Sequence, residues 1–488
     1  MRRTRGAMLP PVHAAPVRRR DLYQVLRNAI LGGVLAPGDR LPSSRQAASD
    51  YGVSRGMVEE TFAQLTEEGF LRRGVGRGTF VLERALPRPP STTRHSQPPR
   101  APSRRGAAIS ARAACREPEF TRAFNSGIAD AREFPWRTWQ RLQAQVCRTE
   151  GPRAMGLADP RGVPELRAAI ARHLAQFRGI RCHAENVVVF NSAQQAIHLL
   201  ATLLLDAGDP VWLEDPGYPG ARAALELART RVVPVPVDDE GIQVDSGTRR
   251  APDARLVYLT PPHQYPTGVI LGLDRRLALL EWAGRSNAWL IEDDYDGEFR
   301  YFGQPLTALH ALDPSSRVLY VGTLSKALFL SLRLAYAVVP EDLVEPLANL
   351  RTQLDGFSPA LSQLVTSRFM EEGHFSSHLR RMRSIYSAKR SQLVEALEPL
   401  SAGGWSWSSN PAGFHLLLRH PSGDLVRQVA ARSGLDLALL SSYRIRRTSD
   451  DGLFLRFGGL STDQLRAAIP ELLAAVADRP QGRALGNT

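Results

Sequence analysis

The chain has 488 residues, 43% of them hydrophobic, which is enough for more than one core, and its formal net charge is +13. No run approaches the roughly 20 unbroken apolar residues of a membrane span, and three scattered cysteines (Cys115, Cys147 and Cys182) suggest neither a disulfide framework nor a metal site. The basic N-terminus lacks the apolar segment of a secretory signal, so a cytoplasmic protein without membrane partner is expected.

The charge is uneven. Residues 1–120 hold 21 arginines against 10 acidic residues, so a polyanion, nucleic acid first, is the expected partner of that end. After a basic tail (1–17), Leu22, Val25, Leu26, Ile30 and Leu31 recur at the 3-and-4 spacing of one helical face. "GGVLAPGDRLP" breaks that helix, and "PSSRQAASDYG" predicts a short one opened by a serine cap. "VSRGMVEETFAQLTEEGFL" predicts another, starting near Ser54 and closed by Gly69. "LRRGVGRGTFVL" alternates around glycines like a two-stranded wing. Residues 18–84 thus read as a winged helix-turn-helix, whose second helix enters a DNA major groove N-terminus first, or as a small helical protein-interaction domain. Arg45, Arg55 and Arg77, one at each place that should face DNA, favour the first reading. Residues 85–118, rich in Pro, Ser, Arg and Ala, predict a semi-extended linker.

The remaining body (119–480, a large part about 150–350 and a smaller one about 351–480) shows apolar runs that stop at polar or Gly/Pro residues. In open α/β sheets ligands bind at such strand ends. "NVVVF" leads into a helix starting at about Ser192, whose free N–H groups suit a phosphate. "PVWLEDPGYPG" delivers Tyr218 and "RLVYLTPPHQYPTG" delivers His263, Gln264 and Tyr265. "AWLIEDDYDGEF" delivers Glu292, Asp293, Asp294 and Tyr295, and "RVLYVGTLSKALFLSLR" delivers Thr323, Ser325, Lys326 and Arg333. Lys326 is one of two lysines among 62 basic residues. An isolated lysine is usually a solvated charge, but an amine, unlike guanidinium, can lose a proton near neutral pH and attack a carbonyl. The acids alone would suit Mg²⁺, which leaves Lys326 and Arg333 without a role. Hydroxyls, an arginine, a helix N-terminus, a stacking ring, a carboxylate and an amine are together what pyridoxal phosphate (PLP) needs. No metal is expected.

These motifs carry a resemblance. "PGDRLPSSR", "GVSRGMV", "LTEEGF" and "GRGTFV" resemble the GntR family of bacterial regulators over the whole DNA-binding domain. "FPWRTW", "DPRGVPELRAAIARHLAQFRGI", "HQYPTG", "IEDDYDGEFRY", "GTLSK" and "LRFG" resemble fold-type I, class I/II aminotransferases. The joining of the two is similar to the MocR subfamily of GntR regulators. The resemblance implies an α/β fold with a mainly parallel sheet and a smaller C-terminal α+β subdomain. At a double-stranded operator it implies contacts from Arg45, Ser54, Arg55, Met57 and the wing around Arg77 and Gly78. Met57 stands where the family commonly has a small polar residue. For PLP it implies Lys326 as the Schiff-base lysine, Asp293 on the pyridinium nitrogen, Tyr295 on the phenolic oxygen and Tyr218 stacked on the ring. Thr323, Ser325, Arg333 and the backbone at Ser192, Ala193 and Gln194 would hold the phosphate. Tyr265 takes the place of an asparagine common in aminotransferases, as is usual in MocR proteins. Arg456 matches the arginine that clamps an amino acid's α-carboxylate; its bland alternative is a surface charge.

The expected protein is therefore a head-to-tail homodimeric, PLP-dependent transcriptional regulator sensing an amine or amino acid. A working aminotransferase with an incidental head, and a sensor of PLP itself, are the other readings.

Overall fold

The computed structural model describes residues 18–74, 77–82, 101–110, 123–124, 127–409, 412–435 and 437–477. The expected basic tail and most of the expected linker lie outside them. Among the described residues no helix is long and apolar enough to cross a membrane. The chain divides into two units, residues 1–102 and 103–488.

The first unit holds helices Arg19–Leu31, Ser44–Tyr51 and Arg55–Glu67, then strands β1 (Leu71–Gly74) and β2 (Gly78–Val81). Leu22, Leu26 and Ile30 of the first helix share a buried core with Val58, Phe62 and Leu65 of the third, while Val25 and Leu31 are half-buried. The two later helices open on serines. Ser43 Oγ accepts from Gln46 N and Ser54 Oγ from Met57 N, both at 3.2 Å, caps worth about 1 kcal/mol each. β1 and β2 pair antiparallel with Leu71 opposite Val81 and Gly74 opposite Gly78, the expected wing.

Where the expected linker is described it differs from an extended chain: Arg104–Ser110 is helical. Ser103 Oγ caps it by accepting from Gly106 N at 3.0 Å, a local signal that composition alone passes over.

The body is built on an eight-stranded sheet of β3 (Val187–Phe190), β4 (Pro210–Asp215), β5 (Arg231–Asp238), β6 (Gly241–Ile242), β7 (Leu256–Leu259), β8 (Trp289–Asp294), β9 (Val318–Thr323) and β10 (Ala335–Val338). Their order is β3-β10-β9-β8-β7-β4-β5-β6. The pairs from β9 to β5 are parallel; β10 runs antiparallel to both neighbours and β6 folds back on β5. Both faces are covered, which is why the strands read as unbroken apolar runs rather than alternating ones. Val188, Phe190, Tyr258, Ile291, Leu319 and Val321 pack on one side with the helix Ala193–Leu204. Val257, Leu259, Leu290 and Val318 pack on the other.

The smaller part is an antiparallel sheet of β11 (Ser406–Trp407), β12 (His415–His420), β13 (Ala438–Leu439) and β14 (Asp451–Arg456), in the order β11-β12-β14-β13. Helices His374–Leu397, Gly423–Arg432 and Thr462–Ala477 accompany it. Its core takes in residues from before the large sheet: Phe124, Phe134 and Trp139 cluster with Phe369, Phe375 and Phe457.

Gly322 sits one residue before Thr323 and faces Tyr336 across the β9–β10 pair; a Cβ there would lie 2.4 Å from Tyr336 Cζ. Gly322→Ala is expected to lower the unfolding free energy of the full chain by about 1–3 kcal/mol through overpacking, read by chemical denaturation.

Candidate functional site

Sheet register gathers the site. Ala335 pairs with Phe190 on one side and Thr323 on the other. Ser192, Ser325 and Arg333 therefore leave the sheet together, each two residues beyond that row. Ser192 caps the helix Ala193–Leu204 by accepting from Gln195 N at 3.1 Å, so the N–H groups of Ala193 and Gln194 stand in the helix's first turn. Arg333 is exposed and has left-handed backbone, φ +54°. The hydroxyls of Ser325 and Thr323 address the Leu334 carbonyl, at 3.2 and 3.5 Å, and Ser325 Oγ also accepts from Leu334 N at 3.0 Å. They brace the turn that presents Arg333.

Asp293 stands at the end of β8. Side chains alternate along a strand, so Asp293 shares a face with Ile291, while Glu292 and Asp294 face the other way. Each of those two is committed. Glu292 accepts from Leu309 N and His310 N at 2.8 Å. Asp294 pairs with Arg178 at 2.7 Å and accepts from Tyr320 at 2.7 Å. The three consecutive acids, which alone would suit Mg²⁺, are therefore split between the two faces of the sheet.

Asp293 Oδ2 accepts from Tyr258 at 2.7 Å, but its buried Oδ1 has no hydrogen-bond partner. Burial pushes this carboxyl up to about 6, against the Tyr258 hydrogen bond and the Lys326 charge, which pull it down. A buried oxygen without a donor is costly. A protonated pyridine nitrogen is a donor of the right kind, and on this observation the residues fit PLP.

Lys326 Nζ lies 4.3 Å from the Tyr295 ring centroid and 5.9 Å from that of Tyr265. Tyr265 in turn meets Tyr295 and Tyr218 edge-on at 5.5 and 5.8 Å. Cis peptides precede Pro216 and Pro266 beside these rings. Glu214 braces both loops: its Oε2 accepts from Thr260 N and Oγ1, and Thr260 Oγ1 accepts from Tyr265 N at 2.9 Å. Burial pushes the Glu214 carboxyl up to about 8. The Tyr295 hydroxyl lies 3.0 Å from His263 Nδ1, which also meets Asp296 Oδ2 at 2.8 Å.

Arg456 ends β14. Its Nη2 donates to the hydroxyl of Tyr443 and lies 3.5 Å from that of Tyr265, and its guanidinium sits 4.8 Å from the centre of the Phe454 ring. Lys326, Asp293, Tyr295, Tyr265, Tyr218 and Arg456 thus form one constellation. Sequence reasoning missed Tyr258, Tyr443 and Asp296 as its supports. Tyr258 and Asp296 lay inside the quoted "RLVYLTPPHQYPTG" and "AWLIEDDYDGEF", whereas Tyr443 carried no such signal.

In the head, Arg45, Arg55 and Arg77 are all exposed. Arg55 Nε donates to Ser44 Oγ at 3.3 Å, tying the starts of the two helices. Met57 is half-buried, with its N–H spent on the Ser54 cap. Gly78 has φ +103°, and a Cβ would come within 3.0 Å of Arg40 Nε. Arg40 is an exposed cation beside the wing that the sequence reading did not single out. Arg73 pairs with Glu59 at 3.1 Å, locking wing to helix.

Residues 18–81 match the family described as bacterial regulatory proteins, gntR family, and residues 129–450 match aminotransferase class I and II. The chain is 36% identical to the probable rhizopine catabolism regulatory protein MocR of Rhizobium meliloti, over 93% of each chain. It is 31% identical to the pyridoxine biosynthesis transcriptional regulator PdxR of Corynebacterium glutamicum, over 94% of this chain and 95% of that one. Among solved structures, the α-aminoadipate aminotransferase LysN of Thermus thermophilus is similar, with TM-score 0.65 and 27% identity, over 72% of this chain and 91% of that one. An archaeal alanine:glyoxylate aminotransferase gives 0.68 and 25%, over 73% and 91%.

The Asp293 carboxyl, raised from 3.8 to about 6, costs nothing where folded and unfolded chains both hold the proton. Its cost grows as pH rises from 4 to 6 and is complete above that. Asp293→Asn is therefore expected to stabilise the cofactor-free protein at pH 8 by about 1–3 kcal/mol, with the gain vanishing near pH 4, read by thermal unfolding at both values.

Proposed function

We propose, for a chain that belongs to the MocR subfamily of GntR-family transcriptional regulators, that its aminotransferase-like body holds PLP and uses it to sense an amine or amino acid. The observation that carries this is the buried, unpartnered Asp293 Oδ1 in one constellation with Lys326. The LysN structure contains N-(5'-phosphopyridoxyl)-L-leucine, which supports the same use of a related fold.

When bound, PLP supplies an aldehyde that condenses reversibly with primary amines. The chain's own residues do the rest. Asp293 would accept a hydrogen bond from the protonated ring nitrogen, and Tyr295 would offer its hydroxyl to the phenolic oxygen. Tyr218 would cover the ring. Arg333 and the N–H groups of Ala193 and Gln194 take the phosphate, with the turn held by Ser192, Thr323 and Ser325. Lys326 would hold the aldehyde until another amine competes for it, and Arg456 would meet that amine's carboxylate. For displacement to regulate, the effector must favour one conformation of the body over another. The regulator works in the cytoplasm as a head-to-tail homodimer, each head reading half of an operator through Arg45, Ser54, Arg55, Arg77 and Gly78, with Met57 at the same surface.

A second reading is favoured by one finding. The relative PdxR is named for pyridoxine biosynthesis, and PLP itself would then be the effector. Titrating PLP alone against operator binding separates the two.

Lys326→Ala is expected to lose the visible absorbance that PLP gives the wild-type protein and to lose any response of operator binding to added amines. An unchanged spectrum would sink the assignment. Arg55→Ala is expected to weaken operator binding by about 1–3 kcal/mol, and a phosphate-contacting arginine would instead lower the salt slope by about one; a mobility-shift titration at several salt concentrations reads both.

A further inference from the structure

Lys389 is the second of the two lysines, and nothing above gives it a task. On the helix His374–Leu397 it is 2% exposed, with Nζ 2.9 Å from Asp130 Oδ2 and 3.4 Å from the Gly458 carbonyl. Its ammonium also lies 5.3 Å from the centre of the Tyr386 ring. Asp130 is equally enclosed: its N–H donates to the Tyr386 hydroxyl at 3.0 Å, and its Oδ1 accepts from Arg132 Nε at 2.7 Å. An arginine-rich chain would place a guanidinium here by default. A compact ammonium suits a buried point between a carboxylate, a carbonyl and a ring face better than a broad planar fork.

The partners of this pair lead back to Arg456. Gly458 lies two residues beyond it. Arg132 Nη2 donates to the Gly459 carbonyl at 2.9 Å, and Arg132 Nη1 to Gln464 at 2.9 Å. Arg456 N donates to the Phe124 carbonyl at 3.2 Å. A Cβ on Gly127 would lie 3.5 Å from Arg456 Cδ, and one on Gly458 would lie 3.0 Å from the Ile128 carbonyl. Phe124 and residues 127–132 therefore form a strap laid along the backbone of residues 456–459, pinned at its far end by the buried ion pair.

We propose that Lys389 and Asp130 are positioning residues for the carboxylate end of the effector site: they clamp the strap to Gly458 and so hold Arg456 where an amino acid's carboxylate meets it. This rests on the reading of Arg456 as the carboxylate clamp. Breaking a buried pair by removing one partner leaves an uncompensated charge.

The test compares two stable probes on the full-length, PLP-free protein by fluorescence titration. N-(5'-phosphopyridoxyl)-L-alanine carries the carboxylate, and N-(5'-phosphopyridoxyl)ethylamine lacks it. Wild type is expected to prefer the first by about tenfold or more; no preference would overturn the reading of Arg456 itself. Lys389→Met removes the charge at similar length. Arg132→Ala removes the strap's outer stitch and the Arg132 bond to Asp130 while leaving Lys389 in place, and from a side chain 49% exposed it is expected to give a folded protein to measure. In both variants the preference is expected to fall to about threefold or less, with affinity for the ethylamine probe within about twofold of wild type. An undiminished preference in the folded variants, or an equal loss for both probes, overturns the proposal. If Lys389→Met does not fold, Arg132→Ala decides alone.

Discussion

Everything at the sheet's end depends on one carboxylate held out of water. Asp293 is 3% exposed, and one of its oxygens is without a hydrogen-bond donor. A charge so placed is costly unless paired. The surroundings reduce that cost in part, through the Tyr258 hydroxyl and the Lys326 charge. The other oxygen keeps its desolvation cost. A group that binds only the folded chain and supplies the missing donor stabilises the fold by mass action. Binding of such a group and stability would thus be linked through a single atom.

The neighbouring acids show how the same chemistry is used structurally. Glu292 and Asp294 are as buried as Asp293, yet each is fully engaged, one by two backbone N–H groups and the other by Arg178 and Tyr320. One residue of strand advance carries a side chain from the site to the opposite face. The three consecutive acids therefore do three different jobs, and only the middle one is available to a cofactor.

Arg456 is assembled from farther away. It ends a strand of the smaller part, meets Tyr443 and Tyr265, and is underlain by a strap from before the large sheet. Its neighbours come from at least four separated stretches of chain. Such a site can respond to a small ligand by shifting one packed part against another, which is the kind of two-state element a sensor requires. In this chain an aminotransferase-like body of that kind is joined to a GntR-type DNA-binding domain.

Much was legible in the residues themselves. Serine caps at Ser43 and Ser54, the glycine-rich wing and the unbroken apolar strands are local signals, because capping, turn geometry and two-sided burial act over a few residues. Lys326, Asp293, Tyr295 and Arg333 stood out because they fall at, just beyond or just before the ends of apolar strand runs, and strand ends are where open sheets bind ligands. The helix Arg104–Ser110 was missed although its cap is local, since composition outweighed it. What no local pattern determined was which of Glu292, Asp293 and Asp294 lacks a partner, that Tyr258 and Tyr443 support the site, and that Lys389 reaches Asp130 across 259 residues of sequence. Those depend on register between strands and on packing between distant segments. Hydrogen bonding and desolvation are settled only when the whole chain has closed around them.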